Sequence, residues 1–433
     1  MKKISNPCNG LKGFFPVPGD KSVSHRALML GALARGRTEI RGLLEGEDVL
    51  RTADAMRALG AFVEKRADGV WIVEGRPLRE PAGPLYMGNA GTGTRLLAGL
   101  VSSYPFKTTF TGDPSLSSRP MKRITEPLSL NGAVFETTAG KLPMTVFGTG
   151  AAKPIRYRLP VASAQVKSAI LLAGLNADGE TVVEEPVPCR DHTERMLKAF
   201  GADIRRDGES IVLRGKAVLT GQSVDVPADI SSAAFPIIAA LITPDSELVL
   251  KNVGLNPLRA GILDVLAEMG ARIVYENRRE MSGEPVADLR VFSSELRGVS
   301  VPADKAPSMI DEYPILAVAA AFAKGESRFD GLAELRVKES DRFEAILRGL
   351  SANGAEVEAD GDSLIIKGCE KKPCGGGVIR AKLDHRIAMS FMVMGTASQN
   401  GVVIDDDESV STSFPDFAAL MNERGANIHD YRD

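Results

Sequence analysis

A glycine followed by an alanine recurs six times along the chain, at Gly60-Ala61, Gly132-Ala133, Gly201-Ala202, Gly270-Ala271, Gly354-Ala355 and Gly425-Ala426. The spacings are 72, 69, 69, 84 and 71 residues. Ahead of the first pair, Val49, Ala53, Met56 and Leu59 keep helical spacing. A glycine just past the last apolar position of a helix reads as its C-cap, and an alternating strand follows. This period exceeds that of a solenoid, so each copy is expected to be a compact α/β unit. The 84-residue gap implies an insertion, placed around Asn277 to Glu284.

A second helix recurs between the capped ones, starting near Lys21, Asn89, Ser163, Asp229, Asp311 and Asp384. Its body is apolar on nearly every side, as in Ile315-Leu316-Ala317-Val318-Ala319-Ala320. A helix without a polar face is buried. The strands carry more charge, as in Arg205-Arg206-Asp207 ahead of Ile211-Val212-Leu213. Helices inside and sheets outside invert the layering of a TIM barrel, giving an inside-out α/β barrel. At 433 residues the chain suits two domains, so three copies fall in each. Val17-Pro18-Gly19-Asp20 and Val226-Pro227-Ala228-Asp229 resemble each other and read as paired hinge segments near 17–20 and 226–229. One lobe is then expected at 20–227, the other at 1–19 plus 228–433, with the first strand, Lys2 to Phe15, in the second lobe.

A net charge of −3 does not advertise nucleic-acid binding. The four cysteines give no disulfide framework. Cys369 and Cys374 lack nearby histidines, so reduced loop thiols are the expectation rather than zinc. No signal-peptide or membrane-span run is present in the sequence, and a cytoplasmic protein without a transit segment is expected.

The buried helices open on informative residues: Gly19-Asp20-Lys21-Ser22-Val23-Ser24-His25-Arg26, Gly88-Asn89-Ala90-Gly91-Thr92-Gly93-Thr94-Arg95, Ser163-Ala164-Gln165, Asp311-Glu312-Tyr313 and Asp384-His385-Arg386. Helix N-termini offer free N–H donors and a positive dipole end. Small residues let an anion approach, while Lys and Arg add full charge. Each start alone reads equally well as an ordinary cap. Equivalent starts in one repeated architecture can face one cleft, which makes the clues joint. The Asp229 start offers no residue for the chemistry and is assigned to the hinge. The capped helices add Arg119, Arg190 and the stretch Lys338-Glu339-Ser340-Asp341-Arg342. Glu339 and Arg342, three apart, are expected on one helix face. Asp311 and Glu339 are carboxylates among cations, which favours their charged form and suits proton abstraction. Glu339 reads equally as a salt-bridge partner. His25 and His385 are acid/base candidates by type.

These motifs resemble the 5-enolpyruvylshikimate-3-phosphate synthase (3-phosphoshikimate 1-carboxyvinyltransferase) family essentially end to end, with features of its divergent class II. The most specific pieces are Pro18 to Arg26, Gly88 to Thr92, Leu335 to Arg342 and Leu383 to Met389. The resemblance implies the enolpyruvyl transferase fold, with three βαβαββ units per lobe and the active site between the lobes. It implies transfer of the enolpyruvyl group of phosphoenolpyruvate to the 5-hydroxyl of shikimate 3-phosphate, without metal or organic cofactor. By motif position, shikimate 3-phosphate would be held by Lys21, Ser22, Arg26, Ser163, Ala164, Gln165, Arg190, Asp311 and Lys338. Phosphoenolpyruvate would be held by Lys21, Gly91, Arg119, Gln165, Arg342 and Arg386. Asp311 would be the base toward the hydroxyl, Glu339 the proton donor and acceptor at the methylene carbon, and Lys21 a third catalytic group. The two small molecules are the only partners implied, with no nucleic acid or membrane, and a monomer is expected because two lobes in one chain supply both halves of a site.

Two departures stand out. Many relatives have Ser-Ser-Gln where this chain has Ser163-Ala164-Gln165, and many have a lysine before the Phe-Pro where this chain has Thr412-Ser413. Some relatives tolerant of glyphosate, which competes with phosphoenolpyruvate, carry Ala in place of Gly91, so sensitivity is expected. The nearest rival is the transferase acting on UDP-N-acetylglucosamine, which has Lys-Asn where this chain has Lys21-Ser22 and uses a loop cysteine as acid. Cys189 precedes Arg190 but is taken as incidental. A ligand-binding protein without activity is the rival from another class, and the intact Lys21, Asp311, Glu339 and arginines argue against it.

Overall fold

Each of the six repeat glycines takes a positive φ, from 79° at Gly354 to 109° at Gly425. They follow the helices Glu47–Ala58, Lys122–Ser129, His192–Ala199, Gly261–Glu268, Arg342–Ala352 and Phe417–Asn422. The N–H groups of Ala61, Ala202, Ala271, Ala355 and Ala426 reach back to the carbonyls of Met56, Leu197, Leu266, Leu350 and Met421 at 2.9–3.1 Å. That bond closes a Schellman turn, which needs a left-handed residue just before it; glycine meets the need with no Cβ penalty. The second copy differs: the Ala133 N–H goes to Asn131 Oδ1 at 2.9 Å. The recurring dipeptide is thus a helix-stopping device.

This computed structural model describes residues 1–368 and 372–431; Cys369 lies outside the described residues. The chain divides into two compact units. One holds Gly19–Pro227 together with Glu280–Glu284; the other holds Met1–Pro18, Ala228–Arg279 and the chain from Pro285 onward. Each has its own apolar core.

In the first unit the buried helices are Lys21–Leu33, Gly91–Ser102 and Ala164–Gly174. Three four-stranded sheets accompany them, all built alike. A short edge strand runs parallel to its neighbour and two antiparallel strands follow, as with Leu85–Tyr86, Lys107–Thr111, Lys141–Phe147 and Val134–Thr138. Alternation of buried and exposed residues, as along Lys141–Phe147, turns one sheet face to the core. In the second unit the buried helices are Ile230–Ile242, Tyr313–Ala321 and His385–Ala397, and every residue of the first two is buried. Three further four-stranded sheets belong to it. Within each unit the ladders stay separate among the described residues, so strands wrap the helices without closing into one hydrogen-bonded barrel.

The N-terminal segment forms two strands rather than one. Lys3–Asn6 lies between Val402–Ile404 and Asn427–Asp430, and Lys12–Phe14 pairs parallel with Glu247–Gly254. Its counterpart Ser223–Asp225 pairs parallel with Arg37–Arg41. Around them the Asp20 N–H donates to the Pro227 carbonyl at 2.7 Å, and the Asp229 N–H to the Pro18 carbonyl at 2.9 Å. The longer repeat is a hairpin of Arg272–Met281 and Glu284–Phe292, turned by Ser282 and Gly283 at φ 50° and 83°.

Two buried helices begin later than their sequence motifs. Asn89-Ala90 forms a turn closed by the Gly91 N–H on the Asn89 carbonyl at 2.7 Å, so helix starts at Gly91. Asp311-Glu312 likewise turns before Tyr313, with Pro314 in the first helical turn. Gly99 lets the Gly91–Ser102 and Ala164–Gly174 helices approach closely, since a Cβ there would run into the Ala169 backbone. Among the described residues no helix is long and apolar enough to cross a membrane.

Candidate active site

In the first unit three helix starts carry no acidic residue in their first turns. Asp20 caps the first, its Oδ1 accepting the Val23 N–H at 2.8 Å. Lys21 Nζ pairs with the buried Asp48. No side chain caps the second start at Ala90, leaving N–H donors and the dipole end for an anion. Ser163 caps the third, accepting from the Val166 N–H at 3.4 Å. Close packing of the last two helices puts Gln165 against the second start. Its Oε1 accepts from Arg95 at 2.9 Å and its Nε2 donates to Thr92 Oγ1 at 3.0 Å. The buried Arg119 donates to Asn89 Oδ1 and, at 3.3 Å, to Ser115 Oγ.

Arg26 is buried with neutral partners. Its Nε donates to Thr193 Oγ1 at 2.6 Å, one terminal nitrogen to Ser168 Oγ at 2.8 Å, and the other to the Ser22 carbonyl at 2.8 Å. Burial lowers its pKa to about 10, against the pull of Glu194 and Asp20 and with help from the like charge of Arg190. A cation desolvated in this way gains from an added anion. Behind it lies an ion cluster in which fully buried Lys167 meets Glu185 and Glu194, each at 2.7 Å. Cys189 belongs to that cluster: its thiol donates to Glu185 Oε1 at 2.8 Å, and burial pushes it up to about 12. It is no acid for solution chemistry. His25 is fully buried, its Nδ1 2.8 Å from Thr52 Oγ1, and burial with Lys21 and Arg26 holds it well below its ordinary pKa. Burial thus favours its neutral form.

In the second unit the groups converge on Arg342, which is 1% exposed. Asp384 takes its Nε at 2.8 Å, Glu339 its NH2 at 2.5 Å and Asp311 its NH1 at 3.3 Å. Burial works against this charge, but Asp384, Glu339 and Asp311 more than reverse it and hold the guanidinium above its ordinary range. Lys338 Nζ stands 3.4 Å from the same Asp311 oxygen. Arg386 donates to the Asp311 carbonyl at 3.2 Å and lies 3.5 Å from Glu312. His385 is buried at the same helix start.

One expectation is corrected. Glu339 and Arg342 do not share a helix face, because Asp341 accepts the Glu344 N–H and starts the helix at Arg342. Glu339 precedes it in a bend, and the ion pair forms across the N-cap. The sequence reading missed Asp48, Ser168, Thr193, Asp384, Glu312 and Arg259. Most lie far in sequence from the groups they hold. Asp384 and Glu312 carried a signal, since both stand in recognised helix starts. Among the described residues no cluster of three or more His, Cys, Asp or Glu side chains is placed to hold a metal ion.

Comparison with known proteins agrees with these motifs. The family model described as EPSP synthase (3-phosphoshikimate 1-carboxyvinyltransferase) matches residues 6–421. The chain belongs to the EPSP synthase family. It is 58% identical to the 3-phosphoshikimate 1-carboxyvinyltransferase of Gluconobacter oxydans, over 98% of each chain. It is 59% identical to that of Paramagnetospirillum magneticum, over 96% of each. The solved EPSP synthase of Acinetobacter baumannii superposes with a TM-score of 0.89 at 46% identity, covering 99% of this chain and 100% of that one. The enolpyruvyl transferase NikO of Streptomyces tendae, at 19% identity and a TM-score of 0.78, shares the fold. This member of the EPSP synthase family thus has the enolpyruvyl transferase fold.

Proposed function

We propose that this chain transfers the enolpyruvyl group of phosphoenolpyruvate to the 5-hydroxyl of shikimate 3-phosphate, releasing phosphate, in the biosynthesis of chorismate and the aromatic amino acids. Family membership supports the reaction. One local observation supports the residue roles: the Asp311 carboxylate stands between Lys338 and Arg342, and Glu339 pairs with the same guanidinium.

In this reading the acceptor oxygen bonds to the enol carbon as Asp311 takes the hydroxyl proton. Glu339 delivers a proton to the methylene carbon, giving a tetrahedral ketal that carries a methyl group. The C–O bond to phosphate then breaks and Glu339 takes a proton back from that methyl. Each proton transfer supplies ~10²–10⁴-fold. The chemistry balances with proton transfers alone and calls for neither metal nor organic cofactor.

Shikimate 3-phosphate is assigned to Lys21, Ser22, Arg26, Ser163, Ala164, Gln165 and Arg190, with Asp311 and Lys338. Phosphoenolpyruvate is assigned to Lys21, Gly91, Arg119, Gln165, Arg342 and Arg386. The uncapped Gly91 helix start and the arginines supply the positive field that two multiply charged anions require. We assign the working form to a cytoplasmic monomer, since one chain supplies every group named; sedimentation at micromolar concentration tests this.

The deciding assay is phosphate release from phosphoenolpyruvate with shikimate 3-phosphate as acceptor, against UDP-N-acetylglucosamine. Turnover with the first alone is expected. Turnover with the sugar nucleotide alone would overturn the reading. The burial of Cys189 beside Glu185 favours the first outcome.

A further inference from the structure

The Asp229 helix start, to which the sequence assigns no chemistry, reaches the Asp311–Arg386 corner through buried charges. Glu312 is fully buried. One terminal nitrogen of Arg259, NH1, lies 3.0 and 3.2 Å from its two oxygens. The Ser231 hydroxyl donates to Glu312 Oε1 and accepts from the other terminal nitrogen of Arg259. Ser231 is fixed in turn, its N–H donating to Asp229 Oδ1 at 2.8 Å. Arg259 also lies 3.4 Å from that Asp229 oxygen. Arg259, Asp229 and Glu312 are each at most 4% exposed.

The remaining partner of Glu312 is Arg386, whose NH1 is 3.5 Å from Oε1. The same NH1 donates to the carbonyl of Asp311. Two cations and two carboxylates make the group electrically balanced, as buried charges require. Within it Glu312 is shared. Arg259 holds the carboxylate at hydrogen-bond distance, while Arg386 sits farther off and keeps charge for an incoming anion. The chain neighbour of Glu312 is Asp311, so the anchored carboxylate also fixes the turn that presents the assigned base.

We infer that Glu312, clamped by Arg259 and Ser231, is a positioning residue that sets Arg386 for the phosphoenolpyruvate anion. This rests on the assignment of Arg386 above. Loss of the Glu312 charge removes the carboxylate that aims Arg386, leaving the hydrogen bond to the Asp311 carbonyl. Weaker donor binding follows, and acceptor binding is spared.

The test uses the full chain and starts from the parent's phosphate-release activity, so an inactive parent would count against the functional reading and not against this inference. Glu312→Gln keeps the shape and removes the charge. It should raise KM for phosphoenolpyruvate about tenfold, leave KM for shikimate 3-phosphate within about twofold, and change kcat less than KM. The double variant Arg259→Met, Glu312→Leu replaces the buried pair with apolar groups, a swap the fold tolerates better than loss of one partner. It should melt near the parent temperature and still show the donor-side defect. A double variant with parent-like stability and parent-like KM for phosphoenolpyruvate would overturn the inference. If the double variant does not fold, Glu312→Gln with unchanged KM for phosphoenolpyruvate overturns it alone.

Discussion

Arg342 and Asp384 meet as a fork, with Nε 2.8 Å from one carboxylate oxygen and NH2 3.3 Å from the other, in side chains no more than 1% exposed. Asp384 also caps the His385–Ala397 helix, accepting the Arg386 N–H at 3.0 Å, and takes the Ser340 hydroxyl at 2.9 Å. One buried carboxylate therefore sets two assigned donor-site arginines at once. Asp384→Asn keeps an acceptor for the cap but removes the charge that offsets burial of Arg342. A loss of about 3 kcal/mol in unfolding free energy is expected, with a raised KM for phosphoenolpyruvate. Urea titration measures the first; a loss under about 1 kcal/mol would mean that Glu339 and Asp311 suffice to hold the guanidinium.

Sequence periodicity made the repeats legible because the Schellman turn constrains one residue locally. Every one of the six glycines needed a left-handed φ, and that need is visible without any long-range information. The helix starts were legible for the same reason: Asp20, Ser163, Asp229 and Asp384 all cap through their own side chains. The supporting charges were not. Arg259 reaches Glu312 across 53 residues and Lys167 reaches Glu185 across 18, and neither pairing has a spacing rule behind it. The first strand was expected in the second lobe, but the pairing partners of the short edge strands were hidden. Lys12–Phe14 and Ser223–Asp225 are too short to announce a partner, and only the ladders assign them.

His25 gives the fold an acid limb. Its folded pKa lies well below the ordinary value of 6.5, chiefly through burial and then through Lys21 and Arg26. The unfolded chain binds a proton near pH 6.5 that the folded chain refuses. The stability His25 contributes is therefore complete above that pH and is lost progressively as pH falls below it. His25→Gln, which can still bond Thr52, should flatten the decline of the urea midpoint between about pH 7 and 5. An identical decline in parent and variant would remove His25 as its cause.

Asp311 and Glu339 sit on one guanidinium but are assigned different protons, so their variants should fail alike in rate and differ in binding. Asp311→Ala and Glu339→Ala should each lose ~10²–10⁴ in kcat. Calorimetric binding of shikimate 3-phosphate should weaken more for Asp311→Ala, because that side chain is also assigned to the acceptor. Near-parent turnover in either variant would end its assigned role. Both variants also relieve part of the carboxylate charge around Arg342, and Asp384 remains as its buried partner. Folding is therefore expected to survive.

Gly91 sets the room beside Arg119. A Cβ added there would stand 2.8 Å from an Arg119 terminal nitrogen and 3.2 Å from one of Arg95. Both atoms end flexible side chains, so Gly91→Ala is expected to fold normally while pushing Arg119 off its contacts with Asn89 and Ser115. Arg119 is assigned to phosphoenolpyruvate, so KM for that substrate should rise about tenfold, with KM for shikimate 3-phosphate unchanged. Glyphosate should inhibit the parent in competition with phosphoenolpyruvate. The variant should also lose sensitivity to glyphosate, because the added methyl group crowds a terminal nitrogen of Arg119, assigned to the donor side, and one of Arg95. Parent turnover unaffected by glyphosate at the phosphoenolpyruvate concentration would remove Gly91 as a sensitivity determinant. A variant with unchanged KM would show that Arg119 yields without cost.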